Sequence, residues 1–267
     1  MPTFHVVVLA IVQGLTEFLP ISSSGHLALV PLLADWADQG PLIDVAVHVG
    51  SLLAVTVYMW RDVILLLRGG GDLLRWRASR EARLAGLLLI ASVPVFVAGF
   101  LLLQSGAVGS LRTIGVIAAA NLIFALLLYV SDRRPTDRGV DDIGFGRAIA
   151  IGLAQALALV PGVSRSGVTM TAARFLGVER TEAARFSMLL AIPTILGAGA
   201  GAGYEIYRSG DLVLRETALI AAGLSFVTAL LAIWGMMAWL RRMTFTPFVA
   251  YRVALSALLF ALIWQAS

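Results

Sequence analysis

The chain has 267 residues, 59% of them hydrophobic and 13% charged, with a formal net charge of +4. Soluble domains carry about 25% charged residues, so this composition excludes a water-soluble fold and points to an integral membrane protein. No cysteine occurs, which excludes disulfides, thiolate nucleophiles and Cys-based metal sites; all 20 basic residues are Arg and lie mostly in loops, so the charge reads as membrane topology, with no inference to nucleic acid.

In chain order, the first apolar piece, Phe4–Leu33, is interrupted by a polar stretch, Gln13 to Gly25 (QGLTEFLPISSSG), followed by His26. No charged leader or small-residue cleavage site precedes it, so nothing is read as removed. Apolar runs of spanning length, about 20 residues each, follow near Ile43–Trp60, Leu84–Leu103 and Leu111–Val130. A second interrupted piece, Gly146–Leu176, carries Gln155 to Gly167 (QALALVPGVSRSG), and further runs lie near Phe186–Tyr204, Thr217–Leu240 and Pro247–Trp264. The expectation is six transmembrane helices plus two re-entrant helical hairpins. Arg61, Arg68, Arg75, Arg77, Arg80 and Arg83 place one face of the membrane, and Arg133, Arg134, Arg138 and Arg147 the same face, which the positive-inside rule makes cytoplasmic. Leu33–Pro41, Gln104–Arg112 and Tyr207–Arg215 are Arg-poor and fall opposite.

Shifting the first polar stretch by 142 positions lays Gln13 on Gln155, Ser22 on Ser164, Ser24 on Ser166 and Gly25 on Gly167 without a gap. One hairpin plus three spans is an odd number of crossings, so the second copy enters from the opposite side: an inverted-topology repeat in an all-α polytopic membrane protein. One membrane domain is expected, with repeat one over about 1–130, a hinge at about 131–147 and repeat two over about 148–267. Such repeats place their binding site where broken helices meet near the midplane. Polar groups at that depth are tolerated only in protein or beside a wet cavity.

In the first bend, Gln13 and Glu17 are four residues apart and share a helix face before Pro20. A carboxylate beside a carboxamide suits a hard divalent cation; Glu17 could equally be a general base, or the structural partner of an Arg. Ser22, Ser23, Ser24 and Gly25 supply hydroxyls and a turn, read either as anion donors with one nucleophile or as helix caps. His26 can act as acid, base or covalent acceptor. Of the other two His, His5 lies near the interface and His48 inside an apolar span, where polar packing is the expectation. The second bend sets Arg165 between Ser164 and Ser166, followed by Gly167 and Thr169, at the mouth of a helix. A guanidinium there forms an anion clamp. Leu159 stands where Glu17 would repeat, so the two bends divide the labour.

With these residues in view the chain resembles the undecaprenyl-diphosphate phosphatase family, the bacitracin-resistance membrane proteins of bacteria. Gln13 and Glu17 fit its (E/Q)xxxE motif; Pro20, Ser22, Ser23, Gly25 and His26 fit P-x-S-S-x-G-H; Pro161, Gly162, Ser164, Arg165, Ser166, Gly167 and Thr169 fit P-G-x-S-R-S-G-x-T. Gln13 keeps an oxygen ligand where some members have Glu, but loses a charge. The resemblance covers essentially the whole chain. It implies hydrolysis of a C55 polyprenyl diphosphate to the monophosphate plus inorganic phosphate, recycling the lipid carrier of cell-wall peptidoglycan synthesis. It also implies dependence on a divalent cation, magnesium or calcium, and a site opening to the periplasm from the bacterial inner membrane. On that reading Glu17, Ser23, His26 and Arg165 are catalytic, and the nucleophile is Ser23 assisted by His26, or else His26 itself or an activated water. Ser22, Ser24, Gly25, Ser164, Ser166, Gly167 and Thr169 bind substrate, and Glu17 with Gln13 holds the metal.

Two other readings compete. A type-2 phosphatidic acid phosphatase needs a His six residues after the S-R arginine, and Thr171 stands there. A polyprenyl-phosphate flippase or other inverted-repeat transporter accounts for the fold and the anion site but not for Glu17, Ser23 and His26 together with Arg165. Small-residue runs such as Gly197–Gly203 permit close helix approach within one chain or in a homodimer.

Overall fold

The computed structural model describes residues 3–34, 36, 40–106, 109–209 and 212–266. Residues 1–2, and residues 35 and 37–39 of the expected loop at 33–41, lie outside them. Eleven α-helices run through the described residues: α1 (Thr3–Thr16), α2 (Ser23–Ala34), α3 (Gly40–Tyr58), α4 (Trp60–Leu74), α5 (Arg80–Ser105), α6 (Ile114–Asp132), α7 (Phe145–Ala156), α8 (Arg165–Phe175), α9 (Arg180–Ser209), α10 (Leu212–Leu240) and α11 (Thr246–Ala266). The chain is thus an all-α polytopic membrane protein, and its long helices are apolar on their outer faces as well. On α5 Phe100 is 61% exposed, and on α11 Trp264 is 85% exposed. Only a lipid solvent makes such a surface stable.

Among the described residues, four helical segments are long and apolar enough to cross a membrane: Arg80–Ser105, Ile114–Asp132, Arg215–Leu240 and Thr246–Gln265. A fifth crossing would join Ile43–Tyr58 to Trp60–Leu74, but these are bent by 93° at Met59. The run expected over Ile43–Trp60 therefore ends in a corner, and α4 turns away to pack on α5. α4 carries Arg61, Asp62, Arg68 and Asp72 among its apolar residues, a pattern that suits the membrane surface. Helix starts follow local chemistry: Ser79 and Thr113 accept from Ala82 N at 3.0 Å and Val116 N at 3.3 Å, capping α5 and α6.

α1, α2, α7 and α8 have 14, 12, 12 and 11 residues. At 1.5 Å per residue these arms reach only about 16–21 Å, short of a hydrocarbon core about 30 Å thick. Each pair is a hairpin whose arms are too short to span that core. Ser22 and Ser164, register partners in the sequence, both have left-handed backbone, φ 76 and 74. Each accepts a hydrogen bond from the glycine amide three residues on, Gly25 N at 3.3 Å and Gly167 N at 3.1 Å. The duplicated sequence has folded into a duplicated bend.

The hairpins are exchanged between the halves. α1 packs on α10, and α7 packs on α5. Both seams depend on backbone approach: a Cβ on Gly14 would lie 2.6 Å from Ser225 O, and one on Gly152 would lie 2.4 Å from Ala91 O. α6 and α11 pair with each other, and α3 lies between α9 and α10.

Candidate active site

The two bends meet. Ser166 Oγ donates to Leu19 O at 2.9 Å, and a Cβ on Gly25 would lie 3.4 Å from Gly162 Cα. Between them sits the buried carboxylate of Glu17, 5% exposed, at the end of α1. Its Oε1 accepts from Arg165 Nη2 at 3.0 Å; its Oε2 accepts from Ser23 Oγ at 2.6 Å and from Gln13 Nε2 at 2.8 Å. Hairpin one thus supplies a hydroxyl and a carboxylate, and hairpin two the neutralising guanidinium. Arg165 is fixed further by a bond from Nη1 to Ser187 O at 3.2 Å, and its guanidinium carbon lies 5.8 Å from the centre of the Phe18 ring.

Glu17, Ser23, Ser24 and Arg165 line one cavity of ≈ 270 Å³. The opposite wall comes from α3 and α9, with Asp44, His48 and Thr194. His48, expected to be packing, is part of the site: its Nε2 lies 3.6 Å from Glu17 Oε2. Its Nδ1 lies 2.6 Å from Asp44 O, and a carbonyl can only accept, so Nδ1 carries a proton. Periodicity alone could not aim this side chain; the packing of α3 against the hairpins does.

Two buried polar atoms of the cluster lack partners, and their polarities differ. Arg165 Nε is an unsatisfied donor and Gln13 Oε1 an unsatisfied acceptor. Buried groups of this kind call for a ligand or water. The donor suits an anion; the acceptor, beside Glu17, offers a divalent metal two oxygen ligands, and no group of three or more His, Asp or Glu is gathered among the described residues.

Other residues singled out in the bends are placed elsewhere. The hydroxyls of Ser22 and Ser164 are spent on capping, as above. Thr169 Oγ1 donates within α8 and faces Ser187 Oγ at 2.7 Å, in a buried position. Ser166 is committed to Leu19 O, and Gly25 and Gly167 lie at the caps. None of these lines the cavity. His26 is turned away as well: Nδ1 lies 2.7 Å from Ser22 O and Nε2 lies 2.6 Å from Tyr251 Oη, with the two rings stacked 5.7 Å apart. The carbonyl requires the proton on Nδ1, so in the neutral ring Nε2 accepts from the Tyr251 hydroxyl. His5 stacks on Trp36 at 3.7 Å.

Arg252, on α11, is 0% exposed with no carboxylate among its bonding partners. It donates to Pro20 O of the first bend at 3.2 Å, and to Gly162 O and Val163 O of the second at 2.9 and 3.0 Å. Nε donates to Asn121 Oδ1 at 2.8 Å. One guanidinium therefore ties both bends together. Its sequence signal was available: an ionisable residue in the middle of an apolar span.

Comparison with known proteins shows the family. The profile of the family described as "Bacitracin resistance protein BacA" matches residues 6–258. The chain is 50% identical to the undecaprenyl-diphosphatase of Jannaschia sp. (strain CCS1) over 261 residues, 97% of this chain and 98% of that one. It is 50% identical to undecaprenyl-diphosphatase 1 of Rhodospirillum rubrum over 97% and 94% of the two chains. For the enzyme of Alteromonas mediterranea the identity is 43%, over 97% and 98%. By the extent of the profile match and the coverage of these relatives, the chain belongs to the bacitracin resistance protein BacA family.

Proposed function

We propose that this protein hydrolyses undecaprenyl diphosphate to the monophosphate and inorganic phosphate, recycling the lipid carrier of peptidoglycan synthesis, in the cavity at Glu17. One observation carries the site assignment: a hydroxyl and a guanidinium from opposite hairpins sit on the two oxygens of one buried carboxylate. The substrate's prenyl tail stays in lipid while its diphosphate enters the cavity. Arg165 binds that anion, with its unpaired Nε and with the Nη2 that Glu17 holds at rest.

Ser23 Oγ attacks the terminal phosphorus as Glu17 Oε2 takes its proton; the bond to the bridging oxygen breaks, and undecaprenyl monophosphate leaves. Water then attacks the phosphoserine phosphorus, Glu17 returns its proton to Ser23 Oγ, and phosphate leaves with the water's oxygen while the proton that water gives up goes to solvent. The base is Glu17 and not His26, since Glu17 lies 2.6 Å from Ser23 Oγ while both nitrogens of His26 are engaged elsewhere. His26 holds the Ser22 carbonyl and hence the bend. A divalent cation, magnesium or calcium, would be held by Glu17 with Gln13 Oε1, and when bound it would offset charge on the phosphoryl oxygens. The cavity meets α3 near its Arg-poor start, at Asp44 and His48, and α9 in its middle, at Thr194, which supports an opening toward the periplasmic side of the inner membrane.

The test is phosphate release from the C55 diphosphate in detergent, where no gradient exists to drive a transporter. Wild type releases phosphate; Ser23→Ala, Glu17→Gln and Arg165→Gln each reduce kcat by at least about 100-fold while accumulating normally. Near-normal turnover in Ser23→Ala would move the nucleophile to water, and phosphate trapped on His26 would overturn the assignment.

A further inference from the structure

A second polar cavity, of ≈ 510 Å³, opens at the Arg-rich face, and the reaction makes no use of it. It lies at the start of α9, beside Arg180, whereas the catalytic cavity meets α9 at Thr194. Those positions are about 21 Å apart along a helix. Its walls carry four guanidinium groups, Arg133, Arg134, Arg174 and Arg180, against the carboxylate of Asp132.

That carboxylate is already engaged. Oδ1 accepts from Arg180 Nε at 2.5 Å, and Oδ2 accepts from Phe245 N at 3.0 Å. Arg174, only 2% exposed, is held by carbonyls: Nη1 on Val178 O, and Nη2 on Asp132 O and Arg134 O. Its buried Nε makes no hydrogen bond, with Asp132 Oδ1 3.5 Å away and out of bonding geometry. Arg133 lies on the ring of Tyr129 at 3.8 Å and Arg134 on that of Phe175 at 6.0 Å. Neither forms an ion pair with a carboxylate among the described residues. The hydroxyls tip the balance the same way. Thr136 accepts from Arg174 Nη1 and Thr246 accepts from Thr244, so each keeps a proton to give. The lining is rich in donors and nearly spent of acceptors, which selects a multi-oxygen anion.

We propose that this cavity binds a phosphate group, separate from the one processed at Glu17. The group is either the headgroup of an anionic phospholipid or free inorganic phosphate. The surroundings favour a lipid as carrier: Phe175 and Met243, next in sequence to the lining residues Arg174 and Thr244, are 42% and 48% exposed, and Trp239, which donates to Thr244 O, is 38% exposed. Basic pockets between helices at this face of a membrane protein take such headgroups.

The experiment compares the full chain with Arg133→Gln/Arg134→Gln and with the active-site control Arg165→Gln. Native mass spectrometry from detergent holding equal phosphatidylglycerol and phosphatidylcholine reads the lipid arm; the thermal midpoint with and without inorganic phosphate reads the other. Wild type and Arg165→Gln should retain phosphatidylglycerol over phosphatidylcholine, and the double variant should lose at least about ten-fold of that preference. Its phosphate release from the C55 diphosphate should be unchanged. A midpoint raised by phosphate in wild type and Arg165→Gln but not in the double variant, without lipid preference, assigns the site to free phosphate. Equal behaviour of wild type and double variant in both arms overturns the proposal. Arg134→Gln alone, at an exposed position, gives the same readouts if the double variant does not accumulate.

Discussion

Ser22 and Ser164 carry one physical problem twice: a side chain at positive φ whose hydroxyl closes the first turn of the next helix. Glycine relieves that strain and costs a cap only a few tenths of a kcal/mol, whereas alanine keeps the strain and loses the cap, a loss of about 0.5–2 kcal/mol. Ser22→Gly and Ser164→Gly should therefore hold KM and thermal midpoint near wild type, while Ser22→Ala and Ser164→Ala lower the midpoint. A large rise in KM in the glycine variants would return these hydroxyls to the substrate. At this scale the sequence told chemistry apart well where charge was involved. Glu17 and Arg165 stood out because ionisable groups are costly in lipid, and the bends bring them together; His26 stood out as well and is engaged elsewhere, while His48, read as packing, faces Glu17. Sequence could not rank hydroxyls, since a serine that caps and a serine that reacts are the same residue, separated only by what lies within 3 Å.

Among the elements, α11 has a role its apolar sequence hides. It looks like one more lipid-facing span, yet Arg252 and Tyr251 on consecutive positions reach both bends and His26. Four hydrogen bonds from a buried guanidinium, each about 1.5–3 kcal/mol for a charged donor, fix the separation of Pro20 from Gly162 and so of Ser23 from Arg165. Lysine keeps the charge but not the planar fork. Arg252→Lys should accumulate and bind substrate with KM within about three-fold, yet lose kcat by about ten-fold or more as the bends drift. Arg252→Ala should fail to accumulate, leaving four acceptors bare. An Arg252→Lys protein with wild-type kcat would show that the bends hold without this clamp. Element boundaries were legible where apolar runs were uninterrupted, as in α5, α6 and α10. The corner at Met59 was legible in place, since the run expected over Ile43–Trp60 stops there; what was not legible is that the Arg-rich segment after it forms α4 and packs on α5.

For the whole molecule, the duplication was readable from the 13-residue match, but the exchange of hairpins was not, since nothing local says that α1 belongs against α10. That exchange has a consequence. A first half alone would leave the faces of α1 and α3 without α10, and Glu17 without Arg165, stranding a carboxylate in lipid at a cost of about 2.5–3.5 kcal/mol. A second half alone would leave α7 without α5 and the guanidinium without its carboxylate. The connector adds ties from both sides: Arg83 donates to Asp141 O and Ile143 O at 2.7 and 2.9 Å, and Arg138 N donates to Gly177 O at 3.2 Å. Expressed separately, residues 1–134 and 135–267 should each be degraded. Expressed together, they should protect one another and restore phosphate release, because the interlocking surfaces and not the peptide link define the site. Immunoblots of membranes from single and paired expression, with phosphate release measured on the same fractions, read both results. Stable accumulation of either half alone would mean that its hairpin can pack at home, and the shared cavity would then be a late docking event between two finished units.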